Sequence, residues 1–379
     1  MKPVYLDCNS TTPLEEEVIT EMRQYMSSDF GNAGSRTHEM GTKAAKAVNN
    51  SRRLIADVLK AESSDILFTS GATESNNLSI LGLESYGRQS NKTHIITSKT
   101  EHKATLEPLE RLQERGFMVD FLDTDSCGRI SLDAIKETLS DKTLLISLIH
   151  ANNETGVLNP VSELAEYLHE SKSDTFLHID AAQSFGKNIE ALQHQRIDMM
   201  SISAHKIFGP KGIGALLLRS RNYEKPPLEP LMVGGGQERG LRPGTLAVPL
   251  IAGFGKAAEI AKRDNQKRQL RCLEIREKAL EALFSIGGIL NGDGDNTLTH
   301  TLNISVPGVN SEAAMIVLKD IAYISNGSAC TSSDYQLSHV LKAMTIPDER
   351  IEEAIRISWS HLTEEVDWMQ FTQTLKSLI

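Results

Sequence analysis

Lys206, in Ser203-Ala204-His205-Lys206, stands 26 residues after the Asp180 of His178-Ile179-Asp180-Ala181-Ala182-Gln183. An aspartate closing one strand and a lysine just after the next are the two groups that pyridoxal phosphate chemistry requires. The lysine amine condenses with the cofactor aldehyde. The carboxylate pairs with the protonated pyridine nitrogen, so that the ring can draw electrons from a bound substrate. Gln183 lies near enough to Asp180 in sequence to donate to the phenolic oxygen of the same ring. An Asp–Lys pair is common in unrelated chains, so its setting decides what it means.

Ser70-Gly71-Ala72-Thr73-Glu74-Ser75-Asn76-Asn77 follows one strand and opens a helix. Glycine permits a tight turn, and the exposed amides with the Thr73 hydroxyl make an anion site at a helix N-terminus. The plainer reading is a helix capped by Thr73. Ser203 and His205 are further phosphate donors. His102, in a polar turn after a strand, has the near-neutral pKa and flat ring to stack on a pyridine and move protons. Asn152 and Asn153 offer amides to cofactor or substrate, or else form an ordinary turn. Cys330 sits in Ser325-Asn326-Gly327-Ser328-Ala329-Cys330-Thr331-Ser332-Ser333, a small and polar stretch with nothing to bury a thiol, which favours a reactive cysteine. Arg356, inside Ile355-Arg356-Ile357-Ser358, is a cation in an apolar strand. Either a substrate carboxylate or an internal salt bridge must pair with it.

These groups need elements to position them. Short β-branched or apolar runs predict strands at Ile66-Ser70, His94-Ser98, Met118-Leu122, Leu144-His150, Thr175-Asp180, Met199-Ser203 and Ile213-Arg219. Amphipathic helices fall between or before them, at Glu15-Met26, Thr42-Leu59, Ala104-Arg115 and Pro160-Ser171. Such alternation predicts a mostly parallel sheet with helices on both faces, whose ligands lie beyond the carboxyl ends of the strands. Thr73, His102, Asn153, Asp180 and Lys206 each follow a strand and should converge on one crevice. One long polar helix is predicted from about Ala247 to Phe284, then a smaller α+β unit with strands near Thr301-Ser305 and Ile355-Ser358. The boundary falls near Ala261, giving a large domain over 16–261 and a small one from 1–15 and 262–379.

The 379 residues, 40% hydrophobic and 24% charged, suit a soluble globular protein. A net charge of −10 argues against broad binding of nucleic acid or anionic membrane. No apolar run approaches the length of a spanning helix, and the first residues lack the apolar segment of a signal peptide. Cys8, Cys127, Cys272 and Cys330 are isolated, as expected for reduced thiols in a cytoplasm rather than disulfides or a metal site.

The collinear set Tyr5-Leu6-Asp7, Thr11-Thr12-Pro13, Gly31-Asn32, the Ser70–Asn77 segment, Glu101-His102, Asn152-Asn153-Glu154, Asp180–Gln183, Ser203–Lys206, Gly234-Gly235-Gly236-Gln237-Glu238, Arg242-Pro243-Gly244-Thr245 and Gly327–Ser332 resembles the cysteine desulfurases of the class V aminotransferases. The resemblance implies an α/β chain of the pyridoxal phosphate-dependent transferase fold type I. It would have a mostly parallel seven-stranded sheet in the large domain and a smaller α+β domain carrying the Cys330 loop. By the same resemblance, Lys206 carries the cofactor, Asp180 meets the pyridinium, Gln183 the phenolate, and His102 stacks and shuttles protons. Ala72, Thr73, Ser203 and His205 hold the phosphate, with Thr245 reaching across from the second subunit of a homodimer. Asn153 and Arg356 orient L-cysteine, and Cys330 takes its sulfur as a persulfide for an acceptor protein. The stretch after Cys330 resembles the longer-loop branch, whose cysteine can swing outward. Related alternatives are a selenocysteine lyase or cysteine-sulfinate desulfinase, or a non-catalytic docking subunit. The chain departs from the family at Ser358-Trp359-Ser360-His361, where Ser-Leu-Gly-Arg is usual, and ends at Ile379 without the longer tail of housekeeping members. Those departures point away from the usual iron–sulfur partner, toward a specialised pathway such as DNA phosphorothioate modification.

Overall fold

The computed structural model describes residues 2–221, 223–326 and 337–379. Its strands are β1 (Val4–Tyr5), β2 (Ile66–Thr69), β3 (His94–Ser98), β4 (Met118–Leu122), β5 (Thr143–Ile149), β6 (Phe176–Asp180), β7 (Met199–Ser203), β8 (Gly214–Leu218), β9 (Ile289–Leu290), β10 (Thr301–Ser305), β11 (Ala322–Tyr323) and β12 (Ala354–Ser358). Seven of them form one sheet in the order β2-β8-β7-β6-β5-β3-β4. The pairs from β4 through β3, β5 and β6 to β7 are parallel, whereas β8 runs antiparallel to both neighbours. The exception has a local cause. Residues 204–213 contain Gly209-Pro210-Lys211-Gly212 and only one short 3₁₀ turn, Ala204–Lys206, so the chain has no crossover helix with which to return parallel.

Strands buried on both faces read as continuous apolar runs, and β5, Thr-Leu-Leu-Ile-Ser-Leu-Ile, is buried throughout. Alternate residues feed two separate cores. Phe68, Ile146, Ile179, Ile202 and Leu217 pack on one face against the helices Glu39–Leu59, Val161–Glu170 and Val248–Arg263. Leu67, Leu145, Met199, Leu216 and Leu218 pack on the other, against Ala72–Leu81 and Lys103–Glu114.

The single long helix expected after Ala247 is two helices, Val248–Arg263 and Asn265–Phe284, separated at Asp264. The Asn265 amide turns back to donate to the Gly186 and Lys187 carbonyls, which pins the break to the large sheet's own loop. Beyond it a third core gathers Leu283, Leu302, Ile304, Ile357, Trp359 and Phe371 around the sheet β12-β10-β9. The N-terminal arm joins this unit: β1 pairs in parallel with β11, and Leu6 is buried in the same core. Among the described residues no helix is long and apolar enough to cross a membrane, and no set of His, Cys, Asp and Glu side chains gathers as a metal site.

Candidate active site

A cavity of about 530 Å³ opens at the carboxyl ends of β2, β3, β5, β6 and β7. Thr73, His102, Asn153, Asp180 and Lys206 all line it, as the strand ends require, and so do Ala72, Gln183, Ser203, His205 and Arg356. Neighbouring β3 and β5 lead to His102 and Asn153, and the winding of the sheet reverses between them. Ligand crevices of open α/β sheets form at such a point.

The helix Ala72–Leu81 begins at Gly71, and no side chain caps it. Thr73 therefore lies inside the first turn, and the helix is not the Thr73-capped one that the plainer reading supposed. Its first residues line the cavity together with Ser203 and His205, where a helix N-terminus can take an anion. Two glycines make this cup. A Cβ on Gly214 would lie 2.6 Å from the Gly71 Cα and 2.5 Å from the Ile202 carbonyl oxygen, so the turn after β2 rests directly on β8. Both obstacles are backbone. Gly214→Ala is expected to cost at least about 1–3 kcal/mol of stability and to weaken phosphate-dependent cofactor binding. Thermal melting and cofactor titration would check this, and a variant melting with the parent would refute it.

Lys206 closes the 3₁₀ turn after β7, and its ammonium donates to the backbone carbonyls of Asn9 and, at 2.8 Å, Ser10. The N-terminal arm thus lies against the lysine, held there by Thr12, whose amide and hydroxyl both donate to the His205 carbonyl. Asp180, the last residue of β6, accepts from Asn76 Nδ2 at 2.7 Å and from the Ala182 amide at 2.9 Å, which fixes the plane of its carboxylate. His102 caps the helix Lys103–Glu114 by accepting the Ala104 amide at Nδ1. Its proton therefore sits on Nε2 when the ring is neutral. Burial lowers the His102 pKa, Lys206 and His339 push the same way, and Asp180 and Glu107 oppose them. His205 is also lowered, to about 4, by burial first and then by Lys206, Lys211 and Lys187.

Gln183 Nε2 donates one N–H to the Asn9 carbonyl, which leaves the other for a ring oxygen. Arg356 carries the internal ion pair that the sequence left open: Nη2 donates to Asp7 at 2.8 Å and Ser10 at 2.9 Å, and Nη1 to the Asn153 carbonyl at 3.1 Å. A two-pronged grip on a carboxylate would require Asp7 or Ser10 to give way. Nε of Arg356 is buried without a partner among the described residues, as are Asn76 Oδ1, Asn153 Oδ1 and Gln183 Oε1, and all four residues line the cavity. Thr245 is exposed and is not among the residues lining the cavity of its own chain. Cys330 lies outside the described residues. Sequence reasoning missed Asn9, Ser10 and Asn76 as parts of the site. Asn76 carried a signal, since a buried asparagine inside a helix must have a polar partner.

The unpartnered buried polar atoms, the open helix N-terminus, the aspartate and the lysine match in type the ring, phosphate and aldehyde of pyridoxal phosphate. The aminotransferase class V model matches residues 4–369. A cysteine desulfurase, IscS, of Vibrio vulnificus is 43% identical over 371 residues, covering 97% of this chain and 90% of that protein. The chain belongs to the class V aminotransferase family. This family is pyridoxal phosphate-dependent. Solved structures agree on the fold. A NifS-like protein superposes with a TM-score of 0.91 at 34% identity, over 100% of this chain and 99% of that one. DndA of Streptomyces lividans gives 0.83 at 46% identity, over 94% and 99%.

Proposed function

We propose that this class V protein is a cysteine desulfurase, which converts L-cysteine to L-alanine and passes the sulfur through a persulfide on Cys330 to an acceptor protein. The observation that carries the reading is the meeting of Thr73, His102, Asn153, Asp180 and Lys206 in one cavity, in a chain so similar to a protein of that name. When bound, pyridoxal phosphate supplies an electron sink for negative charge at the substrate α-carbon. Lys206 Nζ would tether the cofactor and move protons at the substrate α-carbon. Asp180 holds a proton on the ring nitrogen. The amides of Ala72 and Thr73, with Ser203 and His205, take the phosphate. Arg356, whose Nη2 is held by Asp7, would meet the substrate carboxylate through its unpartnered Nε, with Asn153 as a further donor. Three free thiols, Cys8, Cys127 and Cys272, support a reducing, cytoplasmic setting.

His102 Nε2 is the proton carrier on the substrate side. Because burial, Lys206 and His339 depress its pKa, the neutral ring, whose Nε2 carries the proton while Nδ1 accepts from Ala104, persists below the ordinary histidine value and is lost only as pH falls through the depressed one. Alanine release from L-cysteine should therefore hold steady on the acid side down to about pH 6.5, with its acid limb below that point. His102→Gln should abolish the limb and slow release by about 10²–10⁴-fold. Failure of the parent protein to form alanine from L-cysteine would overturn the proposed activity. An unchanged limb in the variant would remove only His102.

A further inference from the structure

The departure Trp359-Ser360-His361 plays no part in the chemistry above, yet all three residues line a second, smaller cavity of about 30 Å³. It lies where the N-terminal arm, the loop after β6 and the helix Asn265–Phe284 meet, and Cys8, Cys272, Lys187 and His300 also line it. The new residues build its walls. Trp359 Nε1 donates to the Cys272 carbonyl at 2.9 Å, and the Trp359 amide to the His300 carbonyl at 3.0 Å. His361 and Arg268 both bind Glu15, at 2.9 Å and 2.6 Å, so that carboxylate is already shared between an imidazole and a guanidinium.

Lys187 is the anomaly. Its Nζ reaches only His300 Nε2, at 3.0 Å, and no carboxylate pairs with it among the described residues. The side chain is half-buried, and its ammonium carries three donors, of which His300 takes one. The titratable side chains around it are the Cys8 and Cys272 thiols, the His300 imidazole and Lys206, and Arg268 and His361 also line the cavity. Burial raises Cys8 to about 11 and Cys272 to about 12, so neither supplies a negative charge near neutrality. Burial holds His300 far below the usual histidine value, so it is neutral and accepts from Lys187.

We propose that this seam cavity is a binding site for one small monovalent anion of the halide or hydrosulfide class, held by Lys187 with the Cys8 and Cys272 thiols and Ser360 as further donors. The volume suits one such ion, since a single water needs about 10–15 Å³ measured in the same way. Lys187 falls to about pH 7 through burial first and Lys206 second, whereas the neighbouring thiols oppose the shift. The anion binds the protonated amine, so its affinity should fall by up to about tenfold for each pH unit above 7.

The test is a bromide soak of holoenzyme crystals at pH 6, read by anomalous diffraction, with bromide line-broadening by NMR in solution. An anomalous peak within hydrogen-bond reach of Lys187 Nζ is expected, and its absence in the parent protein would overturn the proposal without any variant. Lys187→Met should lower bromide affinity by at least about tenfold. Cys8→Ser, a milder change, should keep the site. A peak equally strong in Lys187→Met would also overturn the proposal. Displacement of bromide by chloride would assign the site to ambient halide, and displacement by hydrosulfide at lower concentration to sulfur released by the enzyme. Either outcome supports the site.

Discussion

Lys206→Ala is expected to fold, to hold pyridoxal phosphate without a covalent bond, and to lose at least about 10³-fold in alanine formation from L-cysteine. Folding should survive because the lysine is only partly buried and its ammonium serves two backbone carbonyls, those of Asn9 and Ser10. Leaving those acceptors unmet costs about 1–3 kcal/mol each, within the stability of an ordinary domain. Activity should not survive, because one amine both tethers the cofactor and moves the α-proton. Borohydride reduction followed by peptide mapping reads the tether directly, with label on Lys206 in the parent and none at that position in the variant. Partial rescue of the rate by a small added amine would separate lost chemistry from lost structure. If the variant keeps the visible imine band and the parental rate, Lys206 is not the tether.

The seven strands of the large sheet were legible to within a residue or so because six of them are buried on both faces, only the edge strand β4 being partly exposed, and they end abruptly in polar residues. Ile-Leu-Phe-Thr before Ser70-Gly71 and Phe-Leu-His-Ile-Asp before Ala181 are examples. The same geometry made the centre of the site legible. A residue just past a strand in a parallel sheet has one place to be, so five scattered positions could be gathered before any coordinates. The antiparallel course of β8 was not legible, since its apolar run is the same in either direction and only the short 204–213 connection tells them apart. The two-residue strands β1, β9 and β11 fall below any periodicity. The arm Asp7–Thr12 escaped for a different reason. Asn9 and Ser10 meet Lys206 through backbone carbonyls, which every residue possesses, so residue type carries no sign of the role. Arg356 shows the limit on side chains as well. A buried cation in a strand announces a partner, but not that Asp7, 349 residues away, is one of them.

Cys330→Ser is expected to separate desulfuration from everything that precedes it. The variant should bind cofactor and L-cysteine with parental spectra, because Lys206, Asp180 and the phosphate cup lie on other segments, yet alanine release should fall to background. A serine hydroxyl is neither acidic nor soft enough to attack a substrate sulfur, whereas a cysteine becomes a thiolate by losing one proton. Mass spectrometry of the parent after a single turnover should show one added sulfur on the Cys330 peptide, removable by a thiol reductant, and none on Cys8 or Cys272. Those two thiols are buried in the seam and pushed to about 11 and 12, which leaves them protonated and unreactive at neutral pH. Elimination of selenium from selenocysteine by the variant, alongside silence toward cysteine, would place the thiol's role in accepting sulfur rather than in breaking the carbon bond. Undiminished alanine release from cysteine would instead mean that sulfur leaves without a protein nucleophile, and the persulfide route would fall while the cofactor site stood.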